Sequence, residues 1–209
     1  MLAFVAVAPG VQMSRAEARL ARALAAIDAA NAADPNTLVV RGEARPKELA
    51  HAELASEWVR TLAPDASEAL QLAARAHHVR RWEIPRTTEP TGRVGYHRWR
   101  RKLQDHHAQV AREILAAEGV APDTIERVLV LIRKQGLGRD PELQTLEDAL
   151  CLVFIETQLE ALADRLEPEK MVDVTRKTLR KMSADALPHA RALSLSDAAR
   201  AILERASTD

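Results

Sequence analysis

Three observations predict an all-α protein built as a single-domain helical bundle. Apolar residues recur at three- and four-residue spacings through most of the 209 positions, which is the period of one helix face. Alanine is abundant while glycine is held to 7, and alanine opposes helix formation least of all residues. Alternating apolar and polar residues never run beyond a few positions, and Thr37 to Val40 is the one weak strand candidate.

The elements follow in order. Residues 1–12 are apolar, lack a basic leader and stop at Pro9-Gly10; they are too short to span a bilayer and read as a disordered extension before one helical domain over 13–209. The first helix runs from Met13 to Ala33, with Ser14 and Glu17 at capping-box spacing. A loop over Thr37 to Pro46 contains a short extended piece around Val39. Pro46 opens a second helix that carries His51 and stops at Pro64. Asp65 and Glu68 start a third, whose stripe of Leu70, Ala73, Ala74 and His77 turns His77 to the core side, with His78 about 100° away. Thr87 to Gly95 reads as a loop, a fourth helix runs from near Tyr96 to Ala117, and a fifth from Pro122 to Lys134 is closed by Gly136.

The sixth helix is the most apolar. Asp140 has the residue type of an N-cap and Pro141 suits the first helical position. From Leu146 to Leu162 apolar residues cover most of the circumference, which predicts a buried central helix reaching about Leu166. Asp148 interrupts that surface two turns past the cap, so it is either paired, an arginine being the plain choice, or it binds something. A seventh helix from Pro168 through Met182 and a last one from Ser196 to Ala206 complete the chain.

Composition bounds the function. Lys plus Arg equals Asp plus Glu at 30 each, which argues against a general nucleic-acid coat. The single cysteine, Cys151, excludes an internal disulfide framework, and a reducing, cytoplasmic setting without a membrane partner is expected. His51, His77, His78, His107 and Asp148 interrupt apolar faces on four helices, the pattern of a metal or acid–base site inside a bundle. Glu48-x-x-His51 matches one arm of a di-iron carboxylate motif, but a second Glu-x-x-His is missing. Arg80, Arg81, Arg86, Arg98, Arg100, Arg101 and Lys102, interleaved with Trp82, Tyr96 and Trp99, suit either a phosphate with a stacked base or a solvated face.

Leu72-Ala73-Ala74-Arg75-Ala76-His77-His78 resembles the Leu-Ala-Ala-x-x-His-Asp segment of the HD superfamily of metal-dependent phosphohydrolases. His51 matches the first His of that pattern, His77 and His78 its His-Asp pair, and Asp148 in Leu-Glu-Asp-Ala-Leu its closing Asp. The stretch from His107 to Gly119 and Glu126-Arg127-Val128 are similar to the helix pair between those elements. The resemblance covers roughly His51 to Glu156. It implies an HD-domain-like bundle, a divalent metal ion (Mn, Fe, Zn or Mg) on His51, His77 or His78, and Asp148, and a catalytic role for Asp148 and His107. Arg80, Arg81, Arg86 and Lys134 would then hold a small phosphorylated ligand, a nucleotide for instance. The departure is His78 in the place of Asp, which leaves the site one carboxylate short. The chain also resembles the domain-of-unknown-function 4202 family, through Arg80 to Arg86, Arg133-Lys134 and Leu179 to Ser183. The alternative expectation is a non-catalytic relative that binds a nucleotide, RNA or protein through segment 80–102.

Overall fold

The computed structural model describes residues 13–208, so the expected extension over 1–12 lies outside the described residues. The chain forms α1 (Arg15–Asn31), a hairpin of β1 (Thr37–Val40) and β2 (Glu43–Pro46), then α2 (Lys47–Leu62) and α3 (Glu68–Ala76). Two short 3-10 turns (Arg81–Glu83 and Arg86–Thr88) lead into α4 (Arg93–Ala117) and α5 (Pro122–Ile132). The chain continues through α6 (Pro141–Ala163), α7 (Pro168–Leu179), α8 (Leu187–Ala192) and α9 (Asp197–Ser207). It is all-α but for the hairpin.

The caps explain most boundaries. Ser14 and Glu17 form the expected capping box at α1. Asp140 accepts from the Glu142 and Leu143 amides at 3.1 and 3.2 Å, with Pro141 beside it. Its carboxylate also takes the Arg127 guanidinium, which ties α5 to the start of α6. Helix α2 begins at Pro46 without a side-chain cap of its own. Buried Asp34 substitutes, accepting the Glu48 amide at 2.9 Å.

Helix α6 is buried around its circumference, and two apolar clusters share it. Leu143, Leu146, Ala149 and Val153 join α1 to α5 in the first. Leu152, Ile155 and Leu159 join α7, α8 and α9 in the second. Burying one aliphatic side chain contributes about 1.5–3 kcal/mol, so α6 anchors both halves.

Several expectations shift. The piece around Val39 is one strand of an antiparallel hairpin, pairing Val39 with Ala44 and Val40 with Glu43. Its two-residue turn, Arg41-Gly42, has φ of 52° and 86°, the positive pair whose twist matches flanking strands. Helix α4 starts at Arg93 rather than near Tyr96, running straight over Gly95. A Cβ there would stand 2.0 Å from the Pro90 carbonyl oxygen, so glycine is what lets the preceding loop lie against the helix. Helix α5 ends before Gly136, because Lys134 takes the left-handed position at φ 55°. The Lys134 and Gln135 amides then donate back to Leu131 and Val130, a Schellman closure made without glycine. Helix α6 stops at Ala163 and α7 at Leu179, each short of its expected end. Six-residue α8 is too short to show an apolar period.

Candidate functional site

Helix α2 places Glu48 and His51 one turn apart on a buried face, and the end of α3 brings His78 against them. The three offer one ligand atom each, all within 4.8 Å of one another. Two edges of that triangle are measured: His51 Nδ1 and His78 Nδ1 each lie 3.4 Å from Glu48 Oε2. That is longer than an ordinary hydrogen bond. It matches the roughly 3.3 Å that separates two ligands each about 2.05 Å from one tetrahedral ion.

Thr157 on α6 donates its hydroxyl proton to the Val153 carbonyl at 2.7 Å. Its oxygen is then free to accept an N–H from His51 Nε2, 3.4 Å away, while His51 Nδ1 lies at the same distance from Glu48, so either ring nitrogen can carry the proton. A ligating imidazole that donates its other N–H to a fixed acceptor is the usual support of a metal site. His78 Nδ1 is buried without a hydrogen-bond partner. Two imidazole nitrogens and a carboxylate thus converge at ligand spacing, a geometry that a cation can occupy. The Glu48, His51 and His78 cluster could hold a metal ion.

Two further imidazoles line the same space. His77 Nδ1 donates to the Ala74 carbonyl and His107 Nδ1 to the Val79 carbonyl, each at 2.8 Å. Each ring thereby keeps Nε2 as an acceptor, and that of His107 is buried and unpartnered. Burial pushes His77 down to about 3 and His107 down to about 4. His78 is also held well below the usual histidine range, by burial first and then by its neighbours His77 and Arg81. Burial alone would raise the Glu48 carboxyl, but His51 and then Arg81 outweigh it and keep the group ionised. The electrostatics therefore favour neutral His77, His78 and His107 beside the Glu48 carboxylate.

The cluster opens on a cavity of about 380 Å³. His51, His77, His78 and His107 line it together with the cations Arg81, Arg100, Lys134 and Lys181, the aromatics Tyr96 and Trp99, and Glu147. Arg81 lies 3.8 Å from Glu48 Oε1 and places its guanidinium 4.9 Å from the Trp99 ring centre. The Trp99 indole donates to the Ile84 carbonyl at 2.9 Å.

The structure brings His51, His77, His78, His107, Arg81 and Lys134 to one cavity, and leaves Arg80, Arg86 and Asp148 outside its wall. Arg80 sits in a left-handed turn with φ 51° and faces Glu83 at 3.9 Å. Arg86 donates to the Glu89 and Pro90 carbonyls at 2.8 and 3.0 Å, which fixes its own loop. Asp148 pairs with no arginine; it accepts from the Ser183 amide at 2.8 Å, the Ser183 hydroxyl at 2.7 Å and the Gln144 amide at 3.0 Å. The carboxylate beside the histidines is instead Glu48. Its signal was the i, i+3 spacing to His51, which places both on one helix face. Glu147 and Lys181, which also line the cavity, had no comparable signal.

Among the described residues no helix is long and apolar enough to cross a membrane. The profile of a domain of unknown function (DUF4202) matches residues 21–203. The chain belongs to that family. No curated protein and no solved structure matches.

Proposed function

We propose that this family member is a metal-dependent phosphohydrolase of the HD type, acting on a nucleotide or another small phosphorylated molecule. One observation carries the reading: Glu48, His51 and His78 each bring one ligand atom to ligand–ligand spacing, beside a cavity lined with cations. Glu48, His51 and His78 would hold a divalent ion, and imidazole with carboxylate suits Mn, Fe or Zn better than Mg. When bound, the ion supplies Lewis acidity, which polarises a phosphoryl oxygen and acidifies water.

The chain's own groups do the remainder. Arg81, held between Glu48 and the Trp99 face, is placed to take the oxygens of a phosphoryl group beside the cluster. His77 and His107, fixed by their carbonyl partners, present Nε2 acceptors that orient the hydrogens of a water molecule in the cavity. Leu103, Leu131, Leu146 and Val153 form apolar wall around these groups, which strengthens every charge interaction inside. The alternative, binding through segment 80–102 alone, has less support. Arg81, Tyr96, Trp99 and Arg100 of that segment line the cavity, with Arg81 4.9 Å from the Trp99 ring centre, so the segment packs as part of the cavity wall.

The test is metal analysis of protein purified without added ions, followed by a phosphate-ester screen with each divalent ion. Bound metal that is lost in Glu48→Gln and His51→Ala, with turnover lost in step, is the expected result. A metal-free protein whose melting temperature ignores added ions would overturn the proposal. Nucleotide binding that survives a chelator, with no turnover, would favour the non-catalytic alternative.

A further inference from the structure

Glu147 is the second buried carboxylate at the cavity, and it is over-matched by cations. One oxygen meets Lys134 Nζ and the other lies 3.6 Å from Lys181 Nζ. Burial would raise its carboxyl, but Lys134, then Lys181 and Arg100, hold it below the usual range. Asp148 lies outside the cavity wall, its carboxylate held by Ser183 and Gln144. In the cavity wall at this end Lys134, Lys181 and Arg100 face the single carboxylate of Glu147, a positive surplus that suits a phosphate dianion.

Both lysines are held in place by the backbone. Lys134 occupies the left-handed closing position of α5 at φ 55°, where glycine is the usual residue. The turn that carries Lys181 is pinned from α6: Asp148 holds the Ser183 amide and hydroxyl, and Gln144 donates to the Lys181 carbonyl at 2.8 Å. The buried Asp148 carboxylate thus acts as a positioning residue for this end of the cavity. Along α6, Glu147 stands ten residues before Thr157, the residue that supports His51. At 1.5 Å per residue the two ends are roughly 15 Å apart along the helix.

We infer that Lys134, Lys181 and Arg100 form a second phosphate subsite, for which Glu147 stands in when it is empty, and that the substrate carries two phosphate groups. This rests on the hydrolase reading for the fate of the first phosphate: that one is cleaved beside Glu48, His51 and His78, and the second is held, unchanged, by the lysines. Both sets of residues open on the one cavity of about 380 Å³, so a single molecule can reach both.

Calorimetric titration with inorganic pyrophosphate in excess EDTA tests the subsite without metal. Wild-type protein should bind, Lys181→Met and Lys134→Met should each weaken binding at least fivefold, and Glu147→Gln should tighten it. Lys177→Met, an exposed residue paired with Asp173, is the control and should bind as wild type. Lys181 is largely exposed, so its variant retains the fold even where Lys134→Met does not. No heat from wild type, or equal affinity in Lys181→Met, would overturn the inference. Lysine-dependent binding in a protein that never turns over a phosphate ester would support the subsite and remove the hydrolase reading alone.

Discussion

At the scale of single residues, Asp148 and Glu48 exchange the roles that their sequence context suggests. Asp148 is the acid that stands out in an apolar helix, yet its burial is met by three hydrogen-bond donors from Gln144 and Ser183. Glu48 hides in an ordinary first turn, yet it is the carboxylate that two imidazoles approach. Asp148→Ala should lower stability by about 2–3 kcal/mol, since it strands two Ser183 donors, while the metal content stays that of wild type. Chemical denaturation together with metal analysis would show this, and loss of metal with normal stability would contradict it. Arg80 offers a second test. It sits at φ 51° with a half-exposed side chain, and the left-handed conformation is unfavourable by about 1–2 kcal/mol for a residue with Cβ. Arg80→Gly should therefore stabilise the fold by about 1 kcal/mol, read as a raised urea midpoint with an unchanged slope.

At the scale of elements, the helices whose ends carry chemical punctuation were legible. Ser14, Asp140 with Pro141, and Ser196 each mark a helix start through side-chain or ring chemistry that needs no tertiary partner. The start of α2 is different, because its cap is Asp34, fourteen residues upstream of the amide it holds. The α4 boundary was hidden for a related reason. Gly95 reads as a loop residue, but it serves a close approach of the Pro90 carbonyl to the helix. Gly95→Ala should destabilise by about 1–3 kcal/mol through overpacking. It should also expose the 84–92 loop, which Arg86 and the Lys102–Glu89 pair hold closed. Limited proteolysis would report cleavage in that loop first; an unchanged pattern would mean that the loop does not depend on the helix face.

At the scale of the whole molecule, the buried neutral histidines set a stability that depends on pH. His77 and His107 have folded values of about 3 and 4, below the ordinary histidine range. Their folded values are depressed, so the unfolded chain binds more protons between those values and about pH 6.5. Stability is then complete above that range and is lost as pH falls, by about 1.4 kcal/mol per pH unit for each such proton. Urea melts at pH 7, 6 and 5 should show a steep decline, made less steep by His107→Gln; a flat profile would mean that these rings protonate freely in the folded state. The all-α class was readable because period and caps are local. The histidines of the cavity were legible as polar breaks in apolar helix faces, whereas Glu48 as their carboxylate and Glu147 were not, because those groups meet only after α2, α3, α4 and α6 pack.

Because α6 is shared by two apolar clusters, the molecule should open in parts rather than all at once. The amides near the middle of α6, from Leu146 to Ile155, are covered on both sides and should exchange with solvent only on global unfolding. Helices α7 to α9 touch only the second cluster, so they can detach while α1 to α5 stay folded on α6. Such an opening would carry Lys181 and the Ser183 turn away from Asp148 and leave Glu48, His51 and His78 undisturbed. Hydrogen exchange of α7 to α9 would then slow when an anion binds between Lys134 and Lys181, and the same helices would be indifferent to a cation held on α2 and α3.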